Sequence, residues 1–104
     1  MSTTEAYQAE LAEYLTGFAA NVRRLRAERG LSQTDLHDAA NLHRTEVGRI
    51  EGGAVEPRLS TLVILAHGLG VGLDDLVAGL PVPKERKPSP QELRRRAREQ
   101  GPHA

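Results

Sequence analysis

Residues 32–53 read SQTDLHDAANLHRTEVGRIEGG, and this stretch decides the fold. Ser32 followed three residues later by Asp35 has the form of a capping box, which starts a helix running to about Ala40. Leu36, Ala39 and Ala40 are its expected inward face. Asn41 follows, one of the few non-glycine types that tolerate a left-handed turn. A second short helix is predicted from about Arg44 to Glu51, with Val47 and Ile50 inward and Gly52-Gly53 as its stop. The joint between the two is too short for a linker, so the helices must turn a tight corner. With Val47 and Ile50 pointing inward, positions 44, 45, 46, 48 and 49 share the outer face.

Working outward, Leu11, Leu15, Phe18, Val22 and Leu25 recur at intervals of four, three, four and three, one apolar helical stripe. Thr3 or Thr4 is suited to cap this helix near Glu5, and Gly30 to end it. Gly17 weakens the pattern, so one helix or two collinear pieces fit equally. Downstream, Leu59, Leu62, Val63, Leu65, Ala66 and Leu69 predict a nearly all-apolar helix, hence a central one. Gly70 and Gly72 break it before LDDLV opens a fifth. No segment has a strand period. The expected fold class is all-α, a compact five-helix bundle containing a helix-turn-helix, with an N-terminal helical extension and a flexible basic C-terminal tail. The expected domain divisions are residues 1–17, 18–80 and 81–104.

The chain of 104 residues holds no cysteine, which excludes disulfides and Cys-based zinc sites and suits a reducing, cytoplasmic compartment. No apolar run is long enough to span a bilayer, so no membrane partner is expected. The formal charge of zero hides an asymmetry. Residues 1–79 contain seven basic and eleven acidic side chains, a balance of −4, and residues 80–104 contain seven and three, a balance of +4. Pro81, Pro83, Pro88 and Pro90 exclude a continuous helix in their neighbourhood, but SPQELRRRAREQ fits a short basic helix capped by Ser89. Such a tail adds phosphate attraction or serves as a solvating or partner-binding extension.

An exposed helix face carrying Arg44, Thr45 and Arg49 suits the major groove of DNA, which admits one α-helix. Arg forks onto guanine, the Thr methyl suits thymine, and Gly48 permits close approach. A merely solvated face fits the same pattern. The segments VRRLRAERGLSQTDL, RIEGG and LSTLVILAHGLGVGLDDLV, however, resemble the phage-repressor (Cro/C1, XRE-type) helix-turn-helix domain, from near Phe18 to Val77. The resemblance implies that Arg44, Thr45 and Arg49 read bases, that Gln33 and His43 contact the DNA backbone, and that Arg58 reaches a phosphate or the minor groove. It also implies a structural ion pair between Arg26 and Glu51.

Three residues depart from the family pattern. His37 stands where Ala is preferred against the third helix, so packing opens or His37 turns outward. His43 replaces the usual Ser cap, giving up a bond worth about 1 kcal/mol. Glu46 lies on the reading face, where it repels phosphate unless it accepts from cytosine or holds Arg49.

No enzyme, cofactor or metal is expected. The four histidines lack convergent carboxylate spacing. GLGVG follows a helix rather than a strand, which makes it a helix–helix turn and not a dinucleotide loop. Ser32, His37 and Asp38 are too local for a triad. The expected function is a sequence-specific, repressor-type DNA-binding transcriptional regulator on double-stranded DNA, acting as a homodimer over half-sites about 34 Å apart. The stripe before Phe18 is the expected dimer contact. The alternative is a protein-interaction module, an antitoxin or adaptor, for which the acidic balance of residues 1–79 speaks.

Overall fold

The computed structural model describes residues 3–81 and 89–99, and helices are the regular secondary structure among the described residues. The order is α1 (Thr3–Glu28), α2 (Gln33–Ala40), α3 (Arg44–Glu51), α4 (Leu59–Leu69), α5 (Leu73–Leu76) and α6 (Pro90–Glu99). The expected cap is corrected: Thr3 and Thr4 already belong to the helix, and the position before them lies outside the described residues.

Phe18, Val22 and Leu25 of α1 meet Leu36 of α2, Val47 and Ile50 of α3, Leu65 and Leu69 of α4, and Leu76 of α5 in one core. Val22, Leu36, Leu65 and Leu76 are wholly buried. The apolar stripe of α1 fades toward its start, where Leu11 and Leu15 are half-buried and Tyr7 is open.

Gly17 does not divide α1. A Cβ at that position would stand 2.6 Å from Leu80 Cδ2, so the missing side chain makes the notch into which Leu80 packs. A second close approach joins α2 to α4, where a Cβ on Gly68 would lie 3.0 Å from Ala40 Cβ and 3.2 Å from Ala40 Cα. Asn21 ties α1 to the end of α5, donating from Nδ2 to the Leu76 and Ala78 carbonyls at 2.9 and 3.0 Å.

Two burial expectations are corrected. Ala39 is exposed, because only Leu36 and Ala40 of α2 face the core. α4 is amphipathic in place rather than central. Thr61, Leu65, Ala66 and Leu69 are buried, whereas Leu59, Val63 and Ile64 are open. The composition of α4 exceeds what its one buried face requires, and the surplus lies on the surface.

Candidate nucleic-acid interface

The corner between α2 and α3 is built locally. Ser32 Oγ accepts from the Asp35 N–H at 3.0 Å, and Asp35 Oδ2 accepts from the Ser32 N–H at 2.8 Å. The Ser32 backbone N–H, and to a lesser degree the Ser32 hydroxyl, favour the ionised Asp35 carboxylate and hold it below its ordinary value of 3.8. At the other end Asn41 is left-handed at φ 53° and ψ 40°, which turns the chain within one residue. Leu42 then drops into the core and brings His43 to the start of α3.

His43 does not give up the cap. Its Nδ1 accepts from the Thr45 N–H at 3.2 Å, so the imidazole performs the task expected of a serine oxygen. Accepting at Nδ1 places the ring proton on Nε2, which remains a donor. His37 takes the outward course, with Nδ1 2.9 Å from Asp38 Oδ1 on the half-exposed side of α2.

Along α3, Val47, Ile50 and Glu51 are buried, and Arg44, Thr45, Gly48 and Arg49 are exposed. At about 100° per residue those four occupy one arc of about 140°. Glu46 sits at the edge of the arc, half-buried, and among the described residues it makes no ion pair with Arg49. The outer face is therefore cationic at Arg44 and Arg49, small at Gly48, and flanked by its acidic neighbour. A Cβ on Gly48 would meet nothing within 4 Å.

An open groove of about 510 Å³ runs beside this face. His43, Thr45 and Arg49 line it from α3, and Glu56, Pro57 and Arg58 line it from the following loop. Arg58 is exposed at the N-cap of α4 and makes no side-chain capping bond. The groove thus gathers His43, Thr45, Arg49 and Arg58, while Arg44 and Gln33 stand outside its lining.

Behind the face, the last residue of α3 is anchored to both preceding helices. Arg26 donates from Nε to Glu51 Oε2 at 2.7 Å and from Nη2 to Oε1 at 3.1 Å, and Gln33 Nε2 donates to Oε1 at 3.1 Å. Arg26 also donates to the Leu31 carbonyl at 2.8 Å, and Arg23 Nη1 donates to the Glu51 carbonyl. The Gln33 and Arg23 contacts were not foreseen from the sequence. The distances along the chain hide them, since both residues are exposed polar types with no periodic signature. Gln33 spends one amide N–H on Glu51 and keeps a second.

Among the described residues no group of three His, Asp or Glu side chains is placed to hold a metal ion, and no helix is long and apolar enough to cross a membrane.

The model of a helix-turn-helix domain matches residues 18–80. Control protein C.SmaI of Serratia marcescens is 41% identical over 59 residues, which cover 57% of this chain and 70% of that protein. The immunity repressor protein of Bacillus phage phi105 is 35% identical over 66 residues, covering 64% of this chain and only 46% of the repressor. Among solved structures, the restriction-modification controller protein C.AhdI of Aeromonas hydrophila superposes with a TM-score of 0.58 at 34% identity, over 60% of this chain and 94% of its own. The hypothetical transcription factor NHTF from Neisseria superposes with a TM-score of 0.59 at 29% identity, over 79% of this chain and 83% of its own. The chain belongs to the helix-turn-helix domain family of the phage-repressor (Cro/C1, XRE) type.

Proposed function

We propose that this chain is a sequence-specific, repressor-type transcriptional regulator that lays α3 into the major groove of double-stranded DNA. The observation that carries the reading is the single exposed arc holding Arg44, Thr45, Gly48 and Arg49. Arg44 and Arg49 supply forked donors for guanine, and the Thr45 methyl suits thymine. Gln33 (through its remaining N–H), His43 (through Nε2–H) and Arg58 hold backbone phosphates and set the register of α3. The Arg26–Glu51 pair fixes α3 against α1 so that the arc is presented rigidly. Relatives named as a control protein and an immunity repressor support the regulatory role. The activity needs no cofactor and is exerted in the cytoplasm.

The regulator acts as a homodimer. One module of this size offers a single short reading helix, and pairing two over a symmetric site multiplies discrimination. Open apolar surface suited to a second copy is present at Leu59, Val63 and Ile64 on α4 and at Leu73 and Val77 near α5. The −4 balance of residues 1–79 favours one competing reading, an interaction module that holds a cationic protein.

The deciding experiment is selection of bound duplexes from random DNA, followed by gel-shift titration of Arg44→Ala plus Arg49→Ala. The double variant is expected to lose preference for the selected sequence while keeping its helical circular dichroism. Unchanged discrimination refutes the reader assignment. Recovery of a stoichiometric protein partner, with no salt-sensitive DNA retention, establishes the competing module instead.

A further inference from the structure

The helix α6 lies beyond residues 18–80, the segment that the family model covers. Its role is not to complete the core. None of its residues is buried, and Leu93, its largest apolar side chain, is 53% exposed. Ser89 Oγ accepts from the Glu92 N–H at 3.1 Å and Pro90 occupies the first position, so the helix has a built start. Four arginines follow in five positions: Arg94, Arg95, Arg96 and Arg98.

Helical spacing sorts these four. Arg94, Arg98 and Arg95 fall within about 100° of arc, and Arg96 points elsewhere. Arg94 and Arg98 are four apart, a like-charge pairing that destabilises an isolated helix. Among the described residues none of the arginines of α6 is in an ion pair. A ten-residue exposed helix is marginal in water even without that repulsion. The like charges gathered on one face are relieved by a polyanion that meets it. Duplex DNA supplies about one negative charge per 1.7 Å of axis, and guanidinium forks match phosphate oxygens in pairs.

We infer that α6 is a second, sequence-independent DNA contact, in which Arg94, Arg95 and Arg98 hold backbone phosphates. This inference rests on the DNA-binding reading above. It also accounts for an otherwise awkward electrostatic balance: residues 1–79 carry −4 and residues 80–104 carry +4, so the tail offsets the repulsion between an acidic domain and its ligand. Base reading stays with α3, and α6 adds attraction without adding discrimination.

The test compares the full chain with the variant Arg94→Gln, Arg95→Gln, Arg98→Gln and with its Lys counterpart. Binding to a selected operator and to a random-sequence duplex is followed by fluorescence anisotropy between about 50 and 200 mM salt. Each phosphate contact contributes about 0.9 to the slope of log K against log salt, so the Gln variant is expected to lose about 2.7 from the slope on both duplexes. The ratio of operator to random affinity is expected to stay constant, and the Lys variant to keep the original slope. Equal slopes for the wild type and the Gln variant overturn the role of α6 alone. A fall in the operator-to-random ratio overturns its sequence independence. If the wild-type chain shows no salt-dependent retention of either duplex, the DNA-binding reading fails and takes this inference with it.

Discussion

Gln33, the first residue of α2, donates from Nε2 to Oε1 of Glu51, the last residue of α3, at 3.1 Å. The two helices of the corner are thus tied across their far ends as well as through Asn41. The Glu51 side chain is 3% exposed and also receives Arg26, so it is an acceptor shared by three helices. Glu51→Ala leaves the Arg26 guanidinium without a carboxylate in a shielded place and is expected to cost about 3 kcal/mol. Gln33→Ala removes one hydrogen bond to a charged group near the surface, with an expected cost of about 1 kcal/mol. Urea midpoints measure both. In the Glu51→Ala background, Gln33→Ala is expected to cost nothing further, because the acceptor is gone. A full, additive loss there removes the coupling.

The start of α2 depends on pH through Asp35. Its carboxylate accepts from the Ser32 backbone and receives further support from the Ser32 hydroxyl, which holds its pKa below 3.8 in the folded chain. A carboxyl group with a depressed folded pKa stabilises the fold above its unfolded value, and that contribution is lost as pH falls through the folded pKa. Amide protection at the first turn of α2, measured relative to intrinsic exchange rates, is therefore expected to fall below pH about 4 in the wild type. Asp35→Asn is expected to exchange faster at neutral pH and to show a flatter acid response. An identical acid response in the two proteins rules out Asp35 as the source.

The legible parts of this molecule were those written in adjacent residues. Ser32 with Asp35, Asn41 and Gly52-Gly53 marked the bounds of α2 and α3, because caps and left-handed turns are local physics. The outer face of α3 followed from Val47 and Ile50, since two inward residues fix the phase of a helix. Burial in α4 was misjudged because a nearly all-apolar helix has no polar stripe to show which side is open. Only the approach of Ala40 to Gly68 and the placement of Leu65 settle that. The His43 cap was missed by treating capping as a matter of hydroxyl and carboxylate oxygens, although an imidazole nitrogen has the same lone pair.

The open face of α4 carries a prediction about assembly. Val63 and Ile64, with Ala39, Ala40 and His67, line an apolar groove of about 390 Å³, and Val63 is 50% exposed. Leu11 and Leu15, on the stripe first expected to pair, are already half-covered by their own chain. If a homodimer forms through this face, a charge at position 63 meets solvent in the monomer and an apolar partner in the dimer. Val63→Glu is expected to leave the thermal midpoint of the monomer nearly unchanged and to weaken self-association at least about tenfold, equivalent to about 1.4 kcal/mol. Sedimentation velocity across a dilution series reads this directly. A wild-type chain that stays monomeric at concentrations saturating its operator ends the homodimer reading.

The crossing of α2 and α4 is tighter than a side chain allows. At Gly68 an added Cβ meets the Cβ, Cα and N of Ala40, atoms of a neighbouring helix that cannot rotate away. Ala gains about 1 kcal/mol over Gly in helix propensity, but overpacking against backbone costs typically 1–3 kcal/mol. The net expectation for Gly68→Ala is destabilisation by about 1 kcal/mol, measured by thermal or urea unfolding. Because α3 contacts α2, the same variant is expected to loosen the reading face and to weaken operator binding in step with stability. A stabilised protein indicates that the two helices slide apart freely.

Gly48→Ala separates folding from recognition at one position. Gly48 lies on the exposed arc of α3 between Arg44 and Arg49, and a Cβ there meets nothing within 4 Å in the free chain. Replacing a mid-helix glycine in open space removes backbone entropy from the unfolded chain, so the variant is expected to be more stable by about 0.5–1 kcal/mol. If α3 enters the major groove, the same methyl occupies the gap through which the helix approaches the base edges. Operator affinity is then expected to fall although the fold is firmer, and the loss is expected to exceed that for Ala at a solvent-facing residue of α1 such as Arg24. Thermal unfolding and a gel-shift titration on the same preparation supply both readings. A variant that is more stable and binds its operator as tightly as the wild type places the DNA against some surface other than this arc.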